Sequence, residues 1–381
     1  MLKKKILMIT ERRADYSKLR PIIKEIKKSK QLDYQLIVTG SHLLSKYGNT
    51  INDIKCDNFK ISSILPMLKK NAPDTGAEMV RAHGRILIKL ADEFERLKPD
   101  IILSGFDIGA NFAATVLGSH MNILVAHIEG GEITGTIDES IRHAMTKFSH
   151  LHFTSNEIAT KRIVKMGENK KYVFTVGNTS LDGIISEKTI PKNKLYEKYD
   201  LDLKKPFIII LQHTVTSEID QIDKNFIQTL DAIKELDLQT LVIFGNSDAG
   251  SKKIAKLINS TKIKKFLTIP YSDYINLLKN SSALVGNSSS GIIESPFLKI
   301  PSVNIGTRQT GRTRSISVLD VGYNKLQIKK AILKSVYDKQ FLKKIKNSTS
   351  LYGDGKSAKK IVKILEDIDL KTITTQKKLM Y

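Results

Sequence analysis

Short apolar runs rich in Ile, Leu and Val alternate along the whole chain with longer stretches in which apolar residues recur every three or four positions. The first pattern predicts strands buried on both faces and the second predicts amphipathic helices. Their alternation predicts parallel sheets built from βαβ units. Strands are expected at KKILMIT, YQLIVTG, DIILSG, NILVAHIEG, LHFTS and VFTVG, which together make one doubly wound α/β domain. The run LDGIISEKTIPKNKLYEKYDLDLKKP is polar, carries two prolines and reads as a connector. Strands resume at FIIILQHT, TLVIFGN, FLTIPY, ALVGNS and PSVNIG, giving a second domain of the same kind. The expected division is residues 1–182 and 183–357, with the tail 358–381 beginning as an amphipathic helix that packs back across the first domain. No internal repeat and no low-complexity segment is visible.

Length agrees with that division, because 381 residues exceed what one compact core accommodates. A hydrophobic content of 41% with 7% aromatics is ordinary for a folded protein. The opening MLKKKILMIT has too short an apolar run for a signal peptide and reads as the first strand. No stretch approaches the roughly 20 apolar residues that span a bilayer, so a soluble chain without a membrane partner is expected. Cys56 is the single cysteine and has no Cys or His neighbour at metal-ligand spacing. A reducing cytoplasm is expected, with no metal and no cofactor. The net charge of +23 raises nucleic acid as a partner. The lysines, however, are spread over helical stretches such as KLRPIIKEIKKSK and SKKIAKLINSTKIKKF, without interleaved aromatics. We therefore read solvated helix faces with a long-range attraction for anionic substrates, and no nucleic acid.

Open α/β sheets bind ligands at the carboxyl ends of their strands, so strand ends are where candidate chemistry is sought. ITERRADYSKLRP brings Arg13, Ser17 and Lys18 to a strand-to-helix turn, a ready anion site or simply a surface turn. It lacks the G-x-G-x-x-G spacing of dinucleotide binders. HIEGGEITGTIDESIRHAMTK follows a strand with paired glycines and then Glu129, Glu132, Asp138, Glu139, Arg142 and His143. Asp138 and Arg142, four apart, suit a helical ion pair, whereas acids clustered after a strand end suit proton transfer. SGFDIGANFAA places Asp107 at a strand end, as a helix cap or as a catalytic acid. ILQHTVTSE does the same for His213, as a structural residue or as a phosphate or leaving-group partner. VGNSSSGIIES breaks a strand into a serine loop that opens a helix. Ser288 and Ser289 there can hold a diphosphate and Glu294 can accept from ribose hydroxyls, although no G-K-[ST] makes it a Walker loop. GTRQTGRTRS adds Arg308, Arg312 and Arg314, for anion contact or plain exposure.

Taken in order, RADYSKLRP, TGSHLLSKYGNT, HIEGGEITGTIDESIRHAMTK, LQHTVTSE, NSDAGSKK, GNSSSGIIES, NIGTRQTGR, YGDG and IDL make the chain resemble, over nearly its whole length, the hydrolysing UDP-N-acetylglucosamine 2-epimerases. The resemblance implies two Rossmann-like domains facing a cleft, as in the GT-B glycosyltransferases, with nucleotide binding in the second. It assigns Arg13, Ser17, Lys18 and His42 to the ligand in the first domain, and Asp107, Glu129 and Asp138 to acid/base work. Arg142 and His213 become supporting catalytic residues, and Ser288, Ser289, Glu294 and Arg308 the nucleotide set. It also implies a homo-oligomer, dimer or tetramer. The chain departs from the family where G-D-R-x-E is usual: here Phe106, Asp107, Ile108, Gly109 and Ala110 stand, keeping the aspartate and losing its charged neighbours.

The reaction so implied eliminates the nucleotide diphosphate to a glycal with its double bond between C1 and C2. Water then adds at C1 and a proton returns to C2 from the opposite face. The first expectation is hydrolysis of UDP-N-acetylglucosamine to N-acetylmannosamine and UDP, feeding sialic acid or a related nonulosonate. A sister version acts on a UDP- or GDP-linked 2,4-diacetamido-2,4,6-trideoxyhexose for legionaminic acid. A retaining glycosyltransferase on the same fold leaves the acidic segment without a job, and a non-catalytic nucleotide-sugar sensor is the third reading.

Overall fold

Strand β1 (Lys4–Thr10) shows how the sheets are built. Its Ile6 and Met8 pack with Leu19, Ile22 and Leu103 on one face, while Leu7 and Ile9 pack with Ile86, Leu90 and Ile102 on the other. A strand that loses both faces to apolar clusters must lie between two helical layers. The strand Phe207–Leu211 repeats the device, with Ile208 and Ile210 against Phe226 and Ile332, and Phe207 and Ile209 against Tyr196 and Leu277. Helices supply the complementary stripes. Along Gly76–Leu97, Ala82, Ile86, Leu90 and Phe94 recur every fourth residue, Thr75 caps the first turn by accepting from Glu78 N–H, and left-handed Lys98 ends the last turn.

The computed structural model describes residues 3–106, 109–245 and 248–380. All strand pairings are parallel. After β1 come β2 (Leu32–Thr39), β3 (Ser63–Leu65), β4 (Ile101–Gly105), β5 (Leu124–Ile128), β6 (Leu151–Thr154) and β7 (Val173–Thr175), in spatial order β3-β2-β1-β4-β5-β6-β7. The second sheet holds β8 (Phe207–Leu211), β9 (Gln239–Ile243), β10 (Lys264–Phe266), β11 (Ala283–Gly286), β12 (Ser302–Ile305) and β13 (Val318–Val321), in order β10-β9-β8-β11-β12-β13. In each sheet the chain works outward on one side and then crosses back, so strand order reverses between β1 and β4 and between β8 and β11. Such switch points open a crevice at the carboxyl ends. Arg12 and Phe106 leave the first, His213 and Ser288 the second.

Four elements differ from expectation. The edge strand expected at FLTIPY lies earlier, at Lys264–Phe266, because those residues pair with Leu241–Ile243, while Pro270 opens the helix Tyr271–Asn280. The expected connector contains two helices, Thr179–Ser186 and Lys192–Lys198, since Leu181, Ile184, Leu195 and Tyr196 find apolar partners against the second sheet and its neighbouring helices. Strands β3 and β13, short and only partly buried, give no apolar run to read.

The helix Ser357–Asp367 returns to the first sheet's helical layer, placing Ala358, Ile361, Val362 and Leu365 in the cluster with Leu19 and Ile22. Its free N–H groups at Ser357 and Ala358 donate to the Asp182 carboxylate at 3.1 and 2.7 Å, and Lys4 Nζ donates to the carbonyls of Leu365, Glu366 and Ile368. Removing a buried carboxylate that accepts two bonds costs about 1–3 kcal/mol. Asp182→Ala is therefore expected to lower the urea midpoint by that free energy and to raise hydrogen exchange across 357–380. An unchanged exchange rate there would show that the carboxylate does not hold the segment.

Candidate active site in the interdomain cleft

The carboxyl ends of the two sheets face each other across a cavity of about 630 Å³. A smaller cavity of about 70 Å³ adjoins it, and Arg12, Ala14, Lys18, Ser289 and Arg308 form walls of both. The domains are closed on one another around these spaces. Gly135 N–H donates to the Arg308 carbonyl at 3.1 Å, Arg13 donates to the Ile269 carbonyl at 3.2 Å, and Lys252 N–H donates to Asp74 at 2.9 Å. A Cβ on Gly135 would lie 2.0 Å from the Thr307 carbonyl oxygen, so only glycine permits the first of these contacts.

The smaller cavity collects the acids. Glu129 leaves β5 in the left-handed region, with φ +61°, and is 3% exposed. A non-glycine residue held there marks a constrained site. The glycines that follow allow the chain to press against the helix Glu157–Lys165, since a Cβ on Gly131 would meet the Ala159 carbonyl at 2.5 Å. One carboxylate oxygen of Glu129 pairs with Lys18 Nζ at 2.7 Å and the other accepts from Asn178 at 2.9 Å. Asp138, the first residue of the helix Asp138–Phe148, lines the same cavity, as does Arg142 one turn on. Arg142 is buried and donates to the Glu132 carbonyl at 2.7 Å. Glu132 accepts from Asn156 at 2.6 Å beneath the site. Asp107, the third acid expected from the sequence, lies outside the described residues.

The larger cavity collects cations and hydroxyls. Arg13 opens the helix Arg13–Ile26, and Ser17 and Lys18 follow on its exposed side. Burial holds the guanidinium groups of Arg13 and Arg308 below their usual values, partly offset by Asp53 and by Asp138 respectively. Burial also holds His213 well below its ordinary value, and the cations Arg308, Arg12 and Arg13 push it in the same direction. Neighbouring arginines thus depress His213 and Arg308 further, an electrostatic setting that favours an anion. Ser288 accepts from Ser290 N–H and caps the short turn Ser289–Gly291, leaving Ser289 on the wall shared by both cavities. Glu294 is raised by burial and lines the larger cavity beside Tyr271 and Tyr274. His42 is fully buried, its ring nitrogens engaged by Thr10 at 2.9 Å and Thr50 at 2.7 Å, and burial lowers it to about 4. It braces the cavity wall as a neutral imidazole.

Arg12 was not singled out from the sequence, yet it stands in both walls. It pairs with Asp15 at 3.1 Å, reaches Asp248 of the second domain at 3.8 Å and donates to the Phe106 carbonyl at 3.3 Å. The doubled arginine was its only signal. Arg312 lines the smaller cavity, whereas Arg314 is spent on Asp320 and on two carbonyls of its own loop.

The family model described as UDP-N-acetylglucosamine 2-epimerase matches residues 24–366. A Legionella pneumophila protein named UDP-N,N'-diacetylbacillosamine 2-epimerase (hydrolyzing) is 37% identical, covering 96% of this chain and 97% of its own. The GDP/UDP-N,N'-diacetylbacillosamine 2-epimerase (hydrolyzing) of Campylobacter jejuni is 34% identical over 86% of each chain. Among solved structures, the UDP-GlcNAc 2-epimerase of Neisseria meningitidis bound to UDP-GlcNAc superposes with a TM-score of 0.80 at 21% identity, covering 95% of this chain and 99% of that one. With two parallel sheets closed on a common cleft and a match running through both of them, the chain belongs to the UDP-N-acetylglucosamine 2-epimerase family.

Proposed function

We propose that the chain hydrolyses a UDP-linked 2-acetamido sugar, releasing UDP and the C2-inverted free sugar. One observation carries this reading: the carboxylates of Glu129 and Asp138 line a small cavity whose walls continue, through Lys18, Ser289 and Arg308, into a larger cation-rich one. A diphosphate seated among Arg13, Arg308, His213 and the serine turn leaves its sugar beside the acids. A carboxylate takes the proton from C2, the electron pair becomes the C1–C2 double bond, and the C1–O bond breaks with its pair leaving on the diphosphate. Water then adds to C1 as hydroxide while a carboxylic acid returns a proton to the other face of C2. Each well-placed acid or base contributes roughly 10²–10⁴-fold, and the cations stabilise charge where it develops on the leaving group. Glu294 and the tyrosines beside it are positioned for the ribose.

Two sugars satisfy this chemistry. N-acetylglucosamine would give N-acetylmannosamine, a sialic acid precursor. The 2,4-diacetamido-2,4,6-trideoxy sugar is favoured here, on the relatives of Legionella and Campylobacter named for it. A glycosyltransferase reading leaves Glu129 and Asp138 without a role, and a sensor reading does the same. The proposal carries with it a cytoplasmic homo-oligomer, to which the unpaired Cys56 is suited.

In deuterated water the product is expected to carry deuterium at C2 by NMR; protium retained there would exclude the elimination. Glu129→Gln should reduce kcat by about 10²–10⁴-fold while melting within a few degrees of the parent chain. Arg308→Ala should weaken UDP binding in calorimetry by about 10–100-fold, the loss of about 1.5–3 kcal/mol for a charged hydrogen bond. An unaltered UDP affinity would remove Arg308 from the diphosphate site.

A further inference from the structure

Phe106 leaves β4 with φ +67°, a conformation that a bulky side chain rarely adopts. Its carbonyl is held by Arg12 and its ring lies 5.1 Å from Lys18 Nζ. On one side the ring belongs to the apolar cluster of Tyr16 and Leu19; on the other it walls the smaller cavity. Among the described residues lining that cavity it is the one large apolar side chain, facing Glu129, Asp138, Arg142 and Gln309. Backbone strain of this kind persists only where the surroundings enforce it. The outcome here is an aromatic face placed in a pocket whose remaining walls offer charges and hydrogen bonds.

A hydroxyl turned against that face would give up water and gain no partner; a methyl there loses nothing and gains contact. Of the substituents that distinguish the two sugars above, the 4-acetamido group carries an amide that requires hydrogen bonds, whereas the C6 methyl requires none. We propose that Phe106 is a specificity-determining residue whose ring receives the C6 methyl of a 6-deoxy amino sugar and disfavours a 6-hydroxyl. This inference rests on the hydrolysing epimerase reading and deepens it.

The test compares UDP-N-acetylglucosamine with its 6-deoxy counterpart, which differ only at C6, alongside the 2,4-diacetamido-2,4,6-trideoxy sugar. The parent chain is expected to favour the 6-deoxy sugar in kcat/KM by roughly 10–200-fold, the range one apolar group commands. Phe106→Asn, a residue that tolerates the left-handed backbone, should bring that ratio to within a few-fold, and Phe106→Gly should do the same without introducing a polar group. UDP affinity should stay near the parent value in both variants, while the melting temperature falls in both with the loss of the ring's contacts to Tyr16 and Leu19. A parent chain indifferent to the 6-hydroxyl, or a ratio untouched in both variants, would overturn the role of Phe106 while leaving the epimerase reading in place. Absence of turnover on all three sugars would overturn that reading and this inference together.

Discussion

Four half-buried cations, Arg12, Arg13, Lys18 and Arg308, line one cleft, and the cost of keeping them charged there organises the site. Each has been given a partial remedy. Lys18 has the Glu129 carboxylate, Arg12 has Asp15 and Asp248, Arg13 has a carbonyl and the more distant Asp53, and Arg308 has the Asn287 carbonyl and the field of Asp138. The remedies for Arg13 and Arg308 are the weakest, and these are the residues whose guanidinium groups burial still depresses. A buried charge with an incomplete set of partners is tolerated only where something anionic completes it. Arg13 and Arg308 are thus the cations on the wall of the larger cavity that keep the least compensation.

Because several of the remedies come from the opposite domain, the cleft's electrostatics and its closure are one problem. Arg12 reaches Asp248, Arg13 reaches the Ile269 carbonyl, and the Arg308 carbonyl accepts from Gly135. None of these is a large apolar contact.

Much of this was legible in the sequence because strands buried on both faces leave an apolar signature, and their ends are marked by the abrupt change to polar residues. The serine turn after β11, the acidic segment after β5 and Arg13 after β1 were all found in that way. What escaped depended on tertiary register. Arg12 and Arg13 are identical in type and adjacent, and only the helix start at Arg13 decides that both face the cleft. His42 reads as a ligand contact, and the structure seats it on the wall of the larger cavity with Thr10 and Thr50, far apart in sequence, on its two nitrogens. The connector looked polar because its apolar residues are spaced for two short helices and not for a strand.

Local preference fails most clearly at the ends of β4 and β5, where Phe106 and Glu129 both take left-handed backbones that neither side chain favours. The two strands are neighbours, and the end of β4 has no slack: a Cβ on Gly105 would lie 2.9 Å from the Ile128 carbonyl. With the strands this close, a residue leaving either one in an extended conformation would continue along the sheet and away from the second domain. Reversing φ turns both side chains to the same place, where Lys18 touches the carboxylate of one and the ring of the other. Two strained residues bridged by one ammonium are harder to relax singly than either would be alone, since freeing one removes a partner from the other. The strain is therefore retained as a unit, and it fixes the distance between the Glu129 carboxylate and the Phe106 ring.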